Sequence, residues 1–284
     1  MSVHRFVRCL LFALLLAGGC ADSSTTFSDG RAGLDAGAGS ESGIPTLDGG
    51  FSGDGGIINT GDPVVYAHSS KELYSVDPKT LAVTLVAPFG WPSLSDEMTD
   101  IAIDRDGRMI GISFDKVYAV DAKTAACTHL ANLDREFNGL SFITPAVAEG
   151  KEYLMAAAND GVLYEINPTN GQARRVGAYG AGLKSSGDLV SVKGFGTVAT
   201  VEKDLGKTDW LARVDPTTGQ AQLIGDTGFA DIWGLGYWKD KIYGFTEASE
   251  FILIDVKTGK GTLVRRYAQN WWGAGVTTVA PVIK

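Results

Sequence analysis

From residue 63 onward, apolar and polar positions alternate in short runs broken by Gly, Asp, Asn and Pro. This is the period-two pattern of half-buried strands, and the 3.6-residue spacing of amphipathic helices is missing. Five of the runs are one phrase written five times: LYSVDPKTLAVTLV, VYAVDAKTAACTHL, LYEINPTNGQARRV, LARVDPTTGQAQLI and FILIDVKTGKGTLV. Their acid or amide positions, Asp77, Asp121, Asn167, Asp215 and Asp255, stand 44, 46, 48 and 40 residues apart. A recurring period of that size signals a repeat architecture.

Each phrase predicts a β-hairpin. Alternating apolar residues form the first strand, and the Asp or Asn side chain accepts from its own turn backbone. Pro78 or Pro216 presets φ, and Gly171, Gly219 and Gly259 supply the positive φ that returns the chain. A second hairpin precedes four of the phrases: DIAIDRDGRMIGIS, GLSFITPAVAEGKEYLMAAA, DLVSVKGFGTVATVE and GLGYWKDKIYGFTE. Two hairpins per period make a four-stranded sheet, and a radial array of such sheets is a β-propeller. The first phrase is preceded only by PVVYAHSS, one strand instead of two, while WWGAGVTTVAP near the end of the chain aligns with the innermost strands IWGLGYWKD and FNGLSFITP. The expectation is an all-β, five-bladed propeller over residues 63–284, its first blade completed by a last strand that carries Val276, Val279 and Val282. Ring closure would remove the exposed sheet edges of an open array.

Propeller connectivity sorts the loops onto two faces. Links between blades and turns between second and third strands share one face, which receives five of the six tryptophans: Trp91, Trp210, Trp233, Trp271 and Trp272. Asp96, Glu97, Asp100, Asp134, Glu136, Asp231, Glu247 and Glu250 fall there as well, whereas the opposite face carries the short DPKT, DAKT and DPTTG turns. Binding residues concentrate on varied loops over a rigid scaffold, so the aromatic and acidic face is the expected working face. Indole platforms beside carboxylates suit a glycan, peptide or partner protein, with Trp91, Trp210, Trp233, Trp271, Trp272 and Asp231 as candidates. Trp91 and Trp271 are expected to be exposed; Trp233 and Trp272 begin equivalent inner strands and could equally pack between blades.

Composition adds an address. Arg5 and Arg8 precede a wholly apolar run from Cys9 to Leu16, too short to span a bilayer and of the length of a secretory h-region. That run ends in LAGGC, which resembles the lipobox of bacterial lipoproteins, and the resemblance implies lipidation of Cys20 as the mature N-terminus, with residues 1–20 forming the signal peptide up to that cysteine. Secretory cleavage after Ala21 is the competing reading. With Ala21 following the anchor, the resemblance implies an extracytoplasmic protein held to a membrane by its N-terminal lipid, at the outer membrane if the source is Gram-negative. Residues 21–62 are rich in Gly, Ser and Asp and hold seven acids against Arg31 alone. Such a segment buries too little apolar surface to offset its ordering entropy and is expected to be a flexible tether with a reach of roughly 35 Å. The net charge of −8 argues against nucleic acid as a partner. Of three cysteines only Cys127 would remain as a thiol, so no disulfide within the chain is expected.

At the repeat level the region after the tether resembles extracytoplasmic propellers of the NHL, YVTN and quinoprotein-like kind, and the Gly-His and Trp-Asp marks of WD40 blades are missing. Asp100 and Asp188 occupy the same repeat position and are expected to line the axial channel, where paired carboxylates could act as acid and base, as in five-bladed glycosidases of the arabinanase kind. FNGLSF and DIAIDRDGR resemble inner strands of calcium-dependent lactonases, which makes Asn138 a metal-ligand candidate. Calcium held without catalysis, through Asp96, Glu97, Asp100, Asn138 or Asp188, is a further expectation. The leading reading is a surface-anchored, non-catalytic binding propeller; the alternative is a metal-dependent hydrolase or lactonase working in the channel. His68 and His129 stand alone in the sequence and suggest neither a zinc cluster nor a catalytic triad.

Overall fold

The structure, a computed structural model, describes residues 65–144, 150–203 and 207–283. Cys20 and the tether 21–62 lie outside the described residues. All strand pairings fall within one compact unit, Phe51–Lys284, which therefore carries the complete ring.

The chain builds β1 (Val65–His68), β2 (Glu72–Val76) and β3 (Val83–Pro88), followed by four complete blades. The second blade is β4 (Asp100–Ile103), β5 (Met109–Ile112), β6 (Lys116–Val120) and β7 (Cys127–Asn132), and the third is β8 (Gly139–Ile143), β9 (Tyr153–Ala157), β10 (Val162–Ile166) and β11 (Ala173–Ala178). The fourth is β12 (Lys184–Val192), β13 (Gly196–Glu202), β14 (Trp210–Val214) and β15 (Ala221–Asp226). The fifth is β16 (Ile232–Trp238), β17 (Lys241–Thr246), β18 (Glu250–Asp255) and β19 (Gly261–Arg266). Last, β20 (Gly273–Gly275) pairs antiparallel with β1, Tyr66 opposite Gly275 and His68 opposite Gly273, giving the order β20-β1-β2-β3. The protein is an all-β, five-bladed propeller whose first blade is completed by the last strand.

That strand differs from expectation. It is the Gly-Ala-Gly run, because only small residues fit where inner strands converge on the axis: a Cβ on Gly234 would stand 2.6 Å from the Gly273 carbonyl carbon. The valine run beyond it is not strand. Val276 is buried, but Val279 is 49% exposed, and residues 276–283 lie across the near ends of the inner hairpins. Thr277 Oγ1 donates to the Asp104 carbonyl, Lys193 N to the Thr278 carbonyl and Lys239 N to the Pro281 carbonyl. With Thr278 Oγ1 on the Glu152 carboxylate, the segment ties the inner hairpins of blades two to five together.

Each outer hairpin is made as its sequence predicts. Asp77 Oδ1 accepts from Lys79 N at 2.7 Å and Thr80 N at 3.2 Å, and Asp121, Asn167, Asp215 and Asp255 repeat the arrangement. Gly171, Gly219 and Gly259 return the chain at φ 74°, 78° and 72°, and in the first two blades Leu81 and Ala125 adopt the same left-handed conformation without glycine. Every blade also breaks register at one place between its third and fourth strands, leaving Val86, Leu130, Val176, Ile224 or Val264 as the extra residue of a β-bulge. The apolar clusters lie between neighbouring blades, with Leu73, Met98, Ile101 and Tyr118 joining the first to the second. No disulfide supports them among the described residues: Cys127 is buried at the start of β7, and burial pushes its thiol up to about 12.

Candidate functional site

The inner strands present their free edges to the axis, where backbone N–H groups need acceptors. At one level of the ring the five repeats place Asp100, Gly139, Asp188, Gly234 and Gly273. Both aspartates are fully buried. Asp188 Oδ1 accepts from Leu189 N and Oδ2 from Leu235 N, each at 2.6 Å, while Asp100 Oδ1 accepts from Ile101 N at 2.8 Å. Two acids thus accept from the inner-strand N–H groups of three blades.

Such a pair cannot be fully ionised. Burial first, and then the adjacent Asp188 charge, hold the Asp100 carboxyl well above the usual carboxylate range. Burial pushes Asp188 up to about 8 against the hydrogen bonds it accepts. Both shifts run the same way, so the pair keeps its protons to higher pH than free carboxyls do. Asp100 Oδ2 has no hydrogen-bond donor among the described residues, which disfavours a charge there.

A histidine completes the cluster. His68, at the end of β1, is fully buried, and its Nε2 stands 3.8 Å from Asp100 Oδ1. Burial lowers its pKa to about 4, so the ring is neutral at pH 7. Nδ1 donates to the Ser69 carbonyl at 2.9 Å, which fixes the proton there and leaves Nε2 as a lone-pair acceptor without a partner. Sequence reading left His68 standing alone. It is 32 positions from Asp100, and only the pairing of β1 with β20 brings it to the axis. The one local signal was Gly273: a Cβ there would meet His68 Nε2 at 2.2 Å and Asp100 Oδ1 at 2.5 Å.

Above this level, on the loop-rich face, Trp233 and Trp272 each precede an axial glycine. Both are half-buried, so neither is swallowed between blades. Their rings are 6.1 Å apart at 81°, and Phe114, from the turn after β5, meets Trp272 at 6.2 Å and 79°. Trp272 N donates to the His68 carbonyl at 2.8 Å, seating this aromatic mouth directly over the histidine. Asn138 holds the corresponding position in the third blade; its N–H donates to the Ala157 carbonyl and its buried Oδ1 has no partner. Asp231 is exposed two residues before Trp233, held at φ 52° with its carbonyl accepting from Glu247 N.

The remaining candidates go elsewhere. Trp271 is fully buried, packed edge-on against Tyr74, Phe245 and Tyr267, and is a core residue rather than an exposed platform. Trp91 is half-buried against Phe89 and Tyr118, and Trp210 lies under the Lys203 ammonium in the fourth blade. Asp96 Oδ2 accepts from Tyr118 and Lys116, and Glu97 faces Lys71 at 3.5 Å. These two acids have cationic partners of their own and share none with Asp100. Among the described residues no group of three or more His, Cys, Asp or Glu side chains is placed to hold a metal ion. Asp96 and Glu97 are paired away from Asp100, so these five residues do not come together as one oxygen-rich set of the kind calcium requires.

Neither a family model nor a curated protein matches the chain. Among solved structures, a protein of unknown function from Bacteroides caccae aligns over 73% of this chain and 73% of its own, at 10% identity and a TM-score of 0.41. The computationally designed Ika8 protein aligns over 74% of this chain and 61% of its own, at 18% identity and 0.34. A symmetrical protein from work on de novo evolutionary emergence aligns over 78% of this chain and 100% of its own, at 17% identity and 0.49. The propeller assignment rests on the strand pairings of this chain itself.

Proposed function

We propose that this protein is a lipid-anchored, non-catalytic propeller of the NHL and YVTN kind that binds a glycan, peptide or partner protein through its loop-rich face. The observation that carries the reading is the state of the axis. Its two carboxyls are fully buried and engaged by backbone N–H groups, and the end of the axis opposite the aromatic mouth is crossed by residues 276–283, so the exposed side chains of this region are those of the loop-rich face. Recognition then falls to the half-exposed Trp233, Trp272 and Phe114 and to exposed Asp231. β1 begins at Val65 on the opposite face, so a tether from an acylated Cys20 turns the aromatic face away from the membrane, toward the extracytoplasmic space.

The test is a glycan and peptide array probed with residues 51–284 and with the Trp272→Ala variant. Binding by the parent that is lost in the variant supports the reading; an array that stays empty at high protein concentration removes it. Anchoring is tested separately, by the mass of the exported chain with Cys20 and with Cys20→Ser. A mature N-terminus at Asp22 or beyond would overturn it.

A second reading, hydrolysis in the axial channel, is favoured by one observation, the placement of His68 Nε2 beside the Asp100–Asp188 pair. Turnover of a lactone or glycoside by residues 51–284 that disappears in Asp100→Asn would establish it. Calcium titration by calorimetry decides whether a metal takes part.

A further inference from the structure

We infer that the mouth formed by Phe114, Trp233 and Trp272 takes an organic cation, an ammonium group, as the recognised part of its ligand. The inference rests on reading the loop-rich face as the binding face and goes further by naming the chemistry. Trp272 stands nearly perpendicular to both neighbours, at 79° and 81°, with ring centroids 6.2 and 6.1 Å away. Both are edge-to-face contacts, and a ring face not covered by a neighbour's edge can take a cation within about 6 Å of its centroid, the range of cation–π attraction. All three rings are half-exposed, so the mouth is open to solvent.

The groups beneath the rings point the same way. The unpartnered buried polar atoms around the axis are His68 Nε2, Asp100 Oδ2 and Asn138 Oδ1, and at neutral pH His68 Nε2 and Asn138 Oδ1 can only accept. His68 is fully buried and its carbonyl holds the Trp272 N–H, which fixes the acceptors under the aromatic wall. The loops of this face carry an excess of negative charge: their described residues hold nine Asp and Glu against four Lys and Arg. An anionic ligand would meet acids and lone pairs here. A neutral sugar would find acceptors for its hydroxyls but would gain nothing from the field.

The experiment compares choline with its neutral isostere, 3,3-dimethylbutan-1-ol, against residues 51–284, following tryptophan fluorescence and ligand-observed NMR at low salt. Choline is expected to saturate both signals and the isostere to bind about tenfold more weakly, the order of effect of a partly desolvated cation–π contact. Trp272→Ala and Phe114→Leu should each weaken choline several-fold, while Lys123→Ala, on the opposite face, should leave it unchanged. Thermal melts show whether each variant is folded, and Phe114→Leu, which keeps an apolar side chain, protects the test if Trp272→Ala does not fold. A lysine-rich peptide titrated in parallel tells a protein source of the ammonium from a small-molecule one. Equal binding of choline and its isostere, or unchanged choline affinity in both aromatic variants, overturns the inference. If the array yields a neutral glycan and no cationic probe binds, this inference falls and the binding reading stands; if nothing binds in either experiment, both fall.

Discussion

The axial position shows how one side chain decides what its neighbours can be. Gly273 is glycine because His68 and Asp100 occupy the space of its Cβ, so Gly273→Ala should lower stability by about 1 to 3 kcal/mol, the cost of overpacking a core. A thermal midpoint equal to that of the parent would show that the histidine can move aside. The titration of the buried acids has a definite sign. Asp188 is raised to about 8 and Asp209 to about 7, both chiefly by burial, so the folded state binds protons that the unfolded chain has released above about pH 4. Their contribution is therefore complete below about pH 4 and is lost as pH rises through 7 and 8. Asp209 faces Ser186, the Ile232 N–H and the charges of Asp231 and Glu202, and none of these offers it a cation. Melting between pH 5 and 9 should show the midpoint falling with pH, and Asp209→Asn should flatten the slope around pH 7. A slope unchanged in that variant would mean that Asp209 titrates normally.

At the level of the hairpin, five equivalent turns are closed by one device. Asp215 accepts from Thr217 N at 2.8 Å and from its hydroxyl at 2.7 Å, and these bonds hold its carboxyl below the usual range. Removing them in Asp215→Ala should cost about 1 kcal/mol, as for a lost cap, read as a shift in the urea midpoint with no change in slope. Such a turn is local, which is why its residues could be recognised from sequence. The aromatic packing is not local. Trp271 and Trp272 are adjacent in the chain, yet the first points into the interface with Tyr74, Phe245 and Tyr267 and the second into the mouth. Both residues precede β20, and sequence does not say which of two adjacent side chains turns into the interior of a ring. Trp271→Ala should cost about 3 to 5 kcal/mol, against a small effect on stability from Trp272→Ala.

For the whole molecule, closure depends on three residues. β20 is short, but it supplies the missing partner of β1 and leads into the segment that ties together the inner hairpins of the other blades. A chain ending at Arg266 keeps every hairpin of the other four blades and loses the closure, leaving the edge of β1 unpaired. We expect it to melt with lower cooperativity and to associate, measured by calorimetry and light scattering. A monomer with the parent's melting curve would show that the ring holds without its last strand. The charge distribution belongs to this scale as well: the acid excess lies on the loop-rich face and becomes a field only because the ring gathers loops from all five blades on one side.

The sequence by itself determined the architecture. A phrase repeated at 40 to 48 residues, its turn chemistry and the orphaned inner strand at the end define five closed blades, because strand alternation and turn formation are short-range and each blade repeats the same solution. Asp100 and Asp188 were legible for the same reason, since equal repeat positions imply equal places around an axis. Only the tertiary structure decided what those positions do. It brought His68 to Asp100, buried both carboxyls against N–H donors from the inner strands, sent Trp271 into the core and left Trp233 and Trp272 at the mouth. Burial and partnership at the axis arise between strands from different blades, up to a full ring apart in sequence, and no local pattern encodes the distance between them.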